Sequence, residues 1–423
     1  MQQVIVNLSG DSNDLLKQLQ TELTKNNEII TKNLNSIDNT ISSLDITKHS
    51  LGILHLLSTK ATTGSWDAET FIHQVLSFIH QCTVRQIRMD PKRFRTICFK
   101  LTELCRESKQ SIRAVQALRV AINKIGSGEH ITPQHWMFVQ SCILAKAYKA
   151  ALPILDRFVF KIDPELTGVE SVDTRLYFYY GGICFIGMKD FKKAIEYLEV
   201  VISAPATVVS SIMLEAYKKY LLVCLCHKGE VPSLPKYTNS GLQRIFKQMC
   251  TGYDEFVTSY QTHSIEDLHK VASNNGETFA KDGNLGLVKQ AISALTKQNI
   301  QRLTKTFLTL SLQNITEQVA LTDVMETENL IFGMIQRGEI FAKINQKDGM
   351  VEFLEDPQNY SNPQTLQYLD EQLHATLNIS ELVQKIHEDI SLDQRYVQKL
   401  IQSEKAPNRN IQEDEMQIEL MKS

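Results

Sequence analysis

Three stretches between residues 95 and 205 carry one helical pattern, with a small residue at a matching place in each. Cys105 is followed by Ala114, Leu118 and Ala121. Cys142 is followed by Ala151, Leu155 and Phe158. Phe178, Gly182 and Phe185 are followed by Ala194, Leu198 and Val201, with Pro205 just beyond. Apolar residues three and four apart mark one helix face, and small residues let an antiparallel helix approach closely. The leading alanines, Ala114, Ala151 and Ala194, stand 37 and then 43 residues apart. That lies close to, but above, the tetratricopeptide period of about 34 residues. The reading is a degenerate solenoid of helix pairs, each burying its apolar face on the next. An irregular helical bundle is the alternative.

Helical spacing extends to both sides. Upstream, Leu15, Leu16, Leu19, Leu23 and then Leu34, Ile37, Ile41, Leu44 recur with a helical period. Gly64-Ser65-Trp66-Asp67 reads as a turn whose Asp67 caps a helix striped by Phe71, Val75, Phe78 and Ile79. Downstream, helices are expected over 208–226, 242–260 and 264–271, the last opened by a Ser264 capping box with Asp267. Asn274-Asn275-Gly276 marks a break, and two helices are expected at 285–295 and 300–310.

The texture then changes. A short helix is expected at 316–319 and an amphipathic one at 326–337, stopped by Gly338. Two partly alternating apolar runs, 340–344 and 350–353, flank Asp348-Gly349, a strong hairpin signal. Helix, helix, hairpin is the order of a winged helix, and this is the only good β signal in the chain. The hairpin residues Ile340, Phe341, Val351 and Phe353 are candidates for contact with a strand added by a partner. The alternative is that they pack on their own helices.

After a turn-rich linker, 356–363, one long helix keeps Leu366, Leu369, Leu373, Leu377, Leu382 and Ile386 on its apolar side. It has little of its own to pack on, so these six are further partner-contact candidates. A last helix restarts at 391–393, and the tail 403–423 with its acidic run Glu413-Asp414-Glu415 is expected to be disordered.

Chemistry is harder to find. No phosphate-binding glycine loop, dinucleotide fingerprint or nucleophile elbow occurs in the sequence. Eleven histidines include neither H-E-x-x-H nor an H-x-H pair; His73 and His80 share a helix face but make a weak ligand geometry. Eight cysteines include no C-x-x-C and read as buried thiols in a reducing compartment. No catalytic residue, metal or cofactor is expected. The formal charge of -3 gives no global attraction to nucleic acid or anionic membrane. The winged helix could still read nucleic acid, but its second helix offers Glu326 and Glu328 against a single Arg337, and its wing only Lys343 and Lys347. The N-terminus lacks a basic and an apolar region, and the longest apolar stretches are too short to span a bilayer. The chain therefore reads as soluble and intracellular.

A helical-repeat solenoid followed by a winged helix resembles the PCI family. The likeness is most specific to the third-subunit branch of the signalosome, at residues 44–52, 212–220, 234–238, 299–310 and 338–351. The resemblance implies an all-α fold with a small winged-helix α+β module: tetratricopeptide-like repeats over 1–196, a PCI domain over 197–362 with its winged helix near 299–355, C-terminal bundle helices over 363–402, and a tail over 403–423. It implies a non-catalytic scaffold in the complex that removes Nedd8 from cullins, and so an influence on cullin-RING ubiquitin ligases. Partners would be other PCI subunits and the metalloprotease-containing subunits; location would be cytoplasm and nucleus. A scaffold of the proteasome lid or of a translation initiation factor is the alternative within the family, and a nucleic-acid-binding winged helix the alternative outside it.

Overall fold

The computed structural model describes residues 3, 5–6, 13–26, 31, 34–63, 67–126, 130–157, 159, 161–206, 208–321, 323–355 and 362–405. The expected turn at Gly64-Ser65-Trp66, the place of Phe158 in the second repeat, most of the linker 356–363 and the tail beyond 405 lie outside these residues. Among the described residues stand 22 helices and three strands, divided into two compact units, Met1–Phe353 and Leu354–Ser423.

The first unit opens with α1 (Asn13–Lys25), α2 (Leu34–Ser43) and α3 (Ser50–Thr63). Helix α3 is buried on nearly every side from Ser50 to Ala61, as an apolar helix without a polar face must be. Its one buried cation, Lys60, is matched by Asp38 of α2 and by Gln74 at 3.0 Å. Gln74 belongs to α4 (Ala68–Gln81), which Asp67 caps by accepting the Thr70 N–H. A short α5 (Val84–Ile87) leads into the repeats.

Three helix pairs follow: α6 (Pro91–Glu107) with α7 (Ile112–Ile125), α8 (Pro133–Leu144) with α9 (Tyr148–Leu155), and, after the short α10 (Pro164–Thr167), α11 (Ser171–Met188) with α12 (Phe191–Ser203). Ala114, Ala151 and Ala194 are fully buried, as the spacing predicts. The turns inside the pairs repeat too. Lys109, Lys146 and Lys189 all take left-handed backbone angles, with φ of 56°, 55° and 62°. In each, the next N–H reaches back five residues, Gln110 to Cys105, Ala147 to Cys142 and Asp190 to Phe185, at 2.8, 2.8 and 3.0 Å. This Schellman closure satisfies the carbonyls that a helix end leaves free. The first helices of successive pairs, α6, α8 and α11, pack on one another, which makes a solenoid rather than a bundle.

The stack continues through α13 (Ser211–His227), α14 (Ser240–Met249), α15 (Thr251–Gln261), α16 (Ile265–Asn274), α17 (Gly276–Lys281) and α18 (Leu285–Thr306). Here the sequence expectation needs correcting. Residues 285–306 form one unbroken helix, not two, because the polar run at its middle finds partners instead of breaking it. The Gln298 side-chain oxygen accepts from the Tyr260 hydroxyl at 3.1 Å, and the Asn299 amide donates to the His263 carbonyl at 3.2 Å.

Beyond α18 come β1 (Thr309–Ser311), α19 (Leu312–Gln318), α20 (Val324–Gln336), β2 (Ala342–Asn345) and β3 (Met350–Phe353). The hairpin pairs Ala342 with Phe353 and Asn345 with Met350, and β1 adds antiparallel to the other side of β3. Strand β1 is a second correction, since residues 300–310 were expected to be helical to the end. The sheet order is β1-β3-β2, so helix, strand, two helices and hairpin complete a winged helix.

The second unit holds α21 (Pro363–Leu392) and α22 (Gln394–Lys405). Pro363 at the first turn and the Asn362 side chain, accepting from the Gln364 N–H, start α21. Asp393 ends it and accepts the Arg395 N–H at 2.7 Å, capping α22.

Candidate partner interface

The winged helix and the C-terminal helices carry the residues singled out for partner contact, and the structure sorts them into two groups. Ile340, Val351 and Phe353 are buried in the first unit's own core. Strand β3 has both edges paired, so no third strand can join it. Val351 and Phe353 on that central strand, and buried Ile340 just before β2, therefore pack within the chain itself, which corrects the expectation that they line a partner's strand. The free edge is β2, whose outward backbone groups have no neighbour in the sheet, and Phe341 just before it is 36% exposed.

Sequence reading passed over the outward face of α20. Met325 and Phe332 are 63% and 53% exposed and lie seven residues apart, hence on one side of the helix. That i, i+7 spacing was the available signal. Glu326 and Asn329 share the exposed surface, and Glu328 accepts from the wing's Gln346 at 2.5 Å. Two basic groups nearby, Arg337 and Lys297, are already engaged. Arg337 donates to Glu339 at 2.6 Å and Lys297 reaches the same carboxylate at 3.4 Å. Burial opposes ionisation of Glu339, but these two cations outweigh it and hold its carboxyl below the usual range. An apolar and acidic face of this kind suits protein and repels a phosphate backbone.

Helix α21 is the larger surface. It spans 30 residues and none of them is buried. Leu366, Leu369, Leu373 and Leu377 are 54–67% exposed, Leu382 and Ile386 are half-buried, and Ile379, Val383 and Ile390 extend the exposed stripe. A soluble helix normally hides such a stripe against a neighbour.

Among the described residues no group of three His, Cys, Asp or Glu is placed to hold a metal ion. Burial pushes the Cys82 and Cys184 thiols up to about 11 and Cys142 to about 12, so they are protonated at neutral pH. His55 is buried with its Nε2 3.5 Å from Asp90. Desolvation nevertheless lowers it to about 3, helped by Arg93, which ion-pairs with that same carboxylate at 3.2 Å. No described helix is long and apolar enough to cross a membrane.

Solenoid, winged helix and trailing exposed helices together define a PCI-type scaffold architecture. A model of the COP9 signalosome complex subunit 3 N-terminal helical repeats matches residues 13–241, and a PCI domain model matches 271–355. The Dictyostelium discoideum protein named COP9 signalosome complex subunit 3 is 40% identical over 87% of this chain and 89% of its own length. The Arabidopsis thaliana protein of that name is 38% identical over 83% and 82%. The chain belongs to the COP9 signalosome subunit 3 family.

Proposed function

We propose that this chain is a non-catalytic scaffold subunit of the signalosome, and through it takes part in removing Nedd8 from cullins. Family membership supplies the complex. The observation that carries the scaffold role is α21, a helix of 30 residues with no buried side chain and a run of exposed leucines. Burying one such leucine is worth about 1.5–3 kcal/mol, so four of them give helices from neighbouring subunits ample reason to cover the stripe. The face of α20 and the free β2 edge are where a neighbouring PCI module docks in this reading. The domains follow accordingly: repeats over 1–196, the PCI domain over 197–362 and bundle helices over 363–402. The peptidase chemistry sits on a metalloprotease-containing subunit, and cullin-RING ligases meet this chain only indirectly. It works in cytoplasm and nucleus.

Tagging the chain at its natural locus, purifying it gently and identifying what comes with it tests this directly. Several other PCI subunits and a metalloprotease subunit should co-purify in one large particle. A free monomer, or a particle made of proteasome-lid or initiation-factor subunits, would replace this reading with another.

A further inference from the structure

The connection between α13 and α14 holds Val231-Pro232-Ser233-Leu234-Pro235-Lys236-Tyr237, a stretch that the scaffold role does not use. Proline fixes φ near -65° and biases the residue before it away from the helical region. Two X-Pro pairs within five residues thus favour a polyproline-like path, and the segment lies outside any helix or strand. Among the described residues, none of the Val231, Ser233, Leu234, Lys236 or Tyr237 N–H groups donates a hydrogen bond. Val231 and Leu234 are half-buried against the core and, with Pro232 and Ser233, form one wall of a cavity of about 480 Å³, while Pro235 is half-exposed. It ends in a turn in which the Thr238 N–H donates to the Pro235 carbonyl at 2.9 Å. That turn swings Tyr237 outward, leaving it 76% exposed beside exposed Lys236. A bulky aromatic that far into water, at the end of a proline-biased strand, has no packing role in the chain.

We infer that Leu234-Pro235-Lys236-Tyr237 is a docking motif for a WW domain of the class that reads proline–tyrosine peptides. Such a domain takes a proline between two aromatic rings and a tyrosine in an adjacent pocket, and its polar groups bond the carbonyls of an unladdered strand. The segment supplies a half-exposed proline for the groove, a solvated residue that the domain does not read, and the exposed tyrosine, with Leu234 anchoring the start of the motif on the chain's own core. Exposed Lys236 fits the third place, since nothing there needs to be buried. The proposal is independent of the complex in which the chain assembles.

The test is titration of the purified full-length chain with an isolated, fluorescently labelled WW domain of that class, an SH3 domain serving as control. The wild-type chain should bind the WW domain and release it to an excess of synthetic Leu-Pro-Lys-Tyr peptide. Tyr237→Ala and Pro235→Ala should each weaken binding at least about tenfold, and Lys236→Ala less than about twofold, by the affinity scale of 1.4 kcal/mol per decade. Circular dichroism and the unfolding midpoint of Tyr237→Ala should match the wild type, because that ring is exposed. No binding by the wild type, equal binding by Tyr237→Ala, or capture by the SH3 domain instead would overturn the assignment.

Discussion

Lys109, Lys146 and Lys189 show where a residue-level reading of the sequence runs out. Lysine has no preference for left-handed backbone angles, which cost a non-glycine residue about 1–2 kcal/mol. Nothing local marks these positions, and only the closure of each helix pair places them there. The alanines one helical turn further on were legible because their small size is itself the signal. Two buried histidines give the residue scale its prediction. Burial lowers His55 to about 3 and His135 to about 4. An unfolded histidine takes up its proton near pH 6.5. Below that pH the unfolded chain binds protons that the folded chain refuses, so stability is full above about 6.5 and drains as pH falls toward the folded values. The slope approaches about 1.4 kcal/mol per pH unit for each histidine. Urea midpoints should therefore fall steeply from pH 6.5 to 5, and His55→Gln should fall less steeply; parallel curves for the two proteins would contradict this.

At the scale of elements, close helix approach sets the architecture, and one glycine measures it. A Cβ on Gly181 of α11 would lie 2.5 Å from the Tyr197 ring of α12. That ring cannot swing away freely, since its hydroxyl donates to the Leu155 carbonyl at 2.7 Å. Gly181→Ala should lose about 1–3 kcal/mol by overpacking, read from chemical denaturation; an unchanged midpoint would mean that the pair is looser than described. Pairing of this kind was visible in sequence, as was the hairpin around Asp348-Gly349. Strand β1 was not, because Thr309-Leu310-Ser311 is too short to alternate and its partner β3 lies some 40 residues on. The continuity of α18 was hidden for a related reason: its polar middle looks like a break until the Tyr260 hydroxyl of α15 and the His263 carbonyl just beyond it are in place. The central place of Val351 and Phe353 follows from β1 as well, since that strand pairs with the outer edge of β3. Helix α21 was fully legible, because an apolar stripe needs only its own period. Replacing Leu369, Leu373 and Leu377 together with aspartate should reduce co-purified subunits by about tenfold or more, while thermal unfolding of the rest of the chain stays as in the wild type. Undiminished assembly would show that the stripe is not the contact.

The whole molecule divides its labour between two units. The first is self-sufficient, with a core that runs from Ile5 through the repeats to Phe353. The second has helices but no buried side chain on α21, which is the state of a part whose core is supplied by others. A chain with a formal charge of -3, whose winged helix carries Glu326 and Glu328 and has its Arg337 paired with Glu339, has little to offer a polyanion and much to offer protein. Amide hydrogen exchange over residues 363–405 probes that division most directly, compared between the isolated chain and the natively purified particle. Uncovered helices open locally at low cost, whereas packed ones exchange only at the cost of disrupting the assembly. The account predicts protection in the particle at least about a hundredfold greater than in the isolated chain, centred on Leu366–Ile390. Equal exchange in the two states would mean that no other subunit covers this helix.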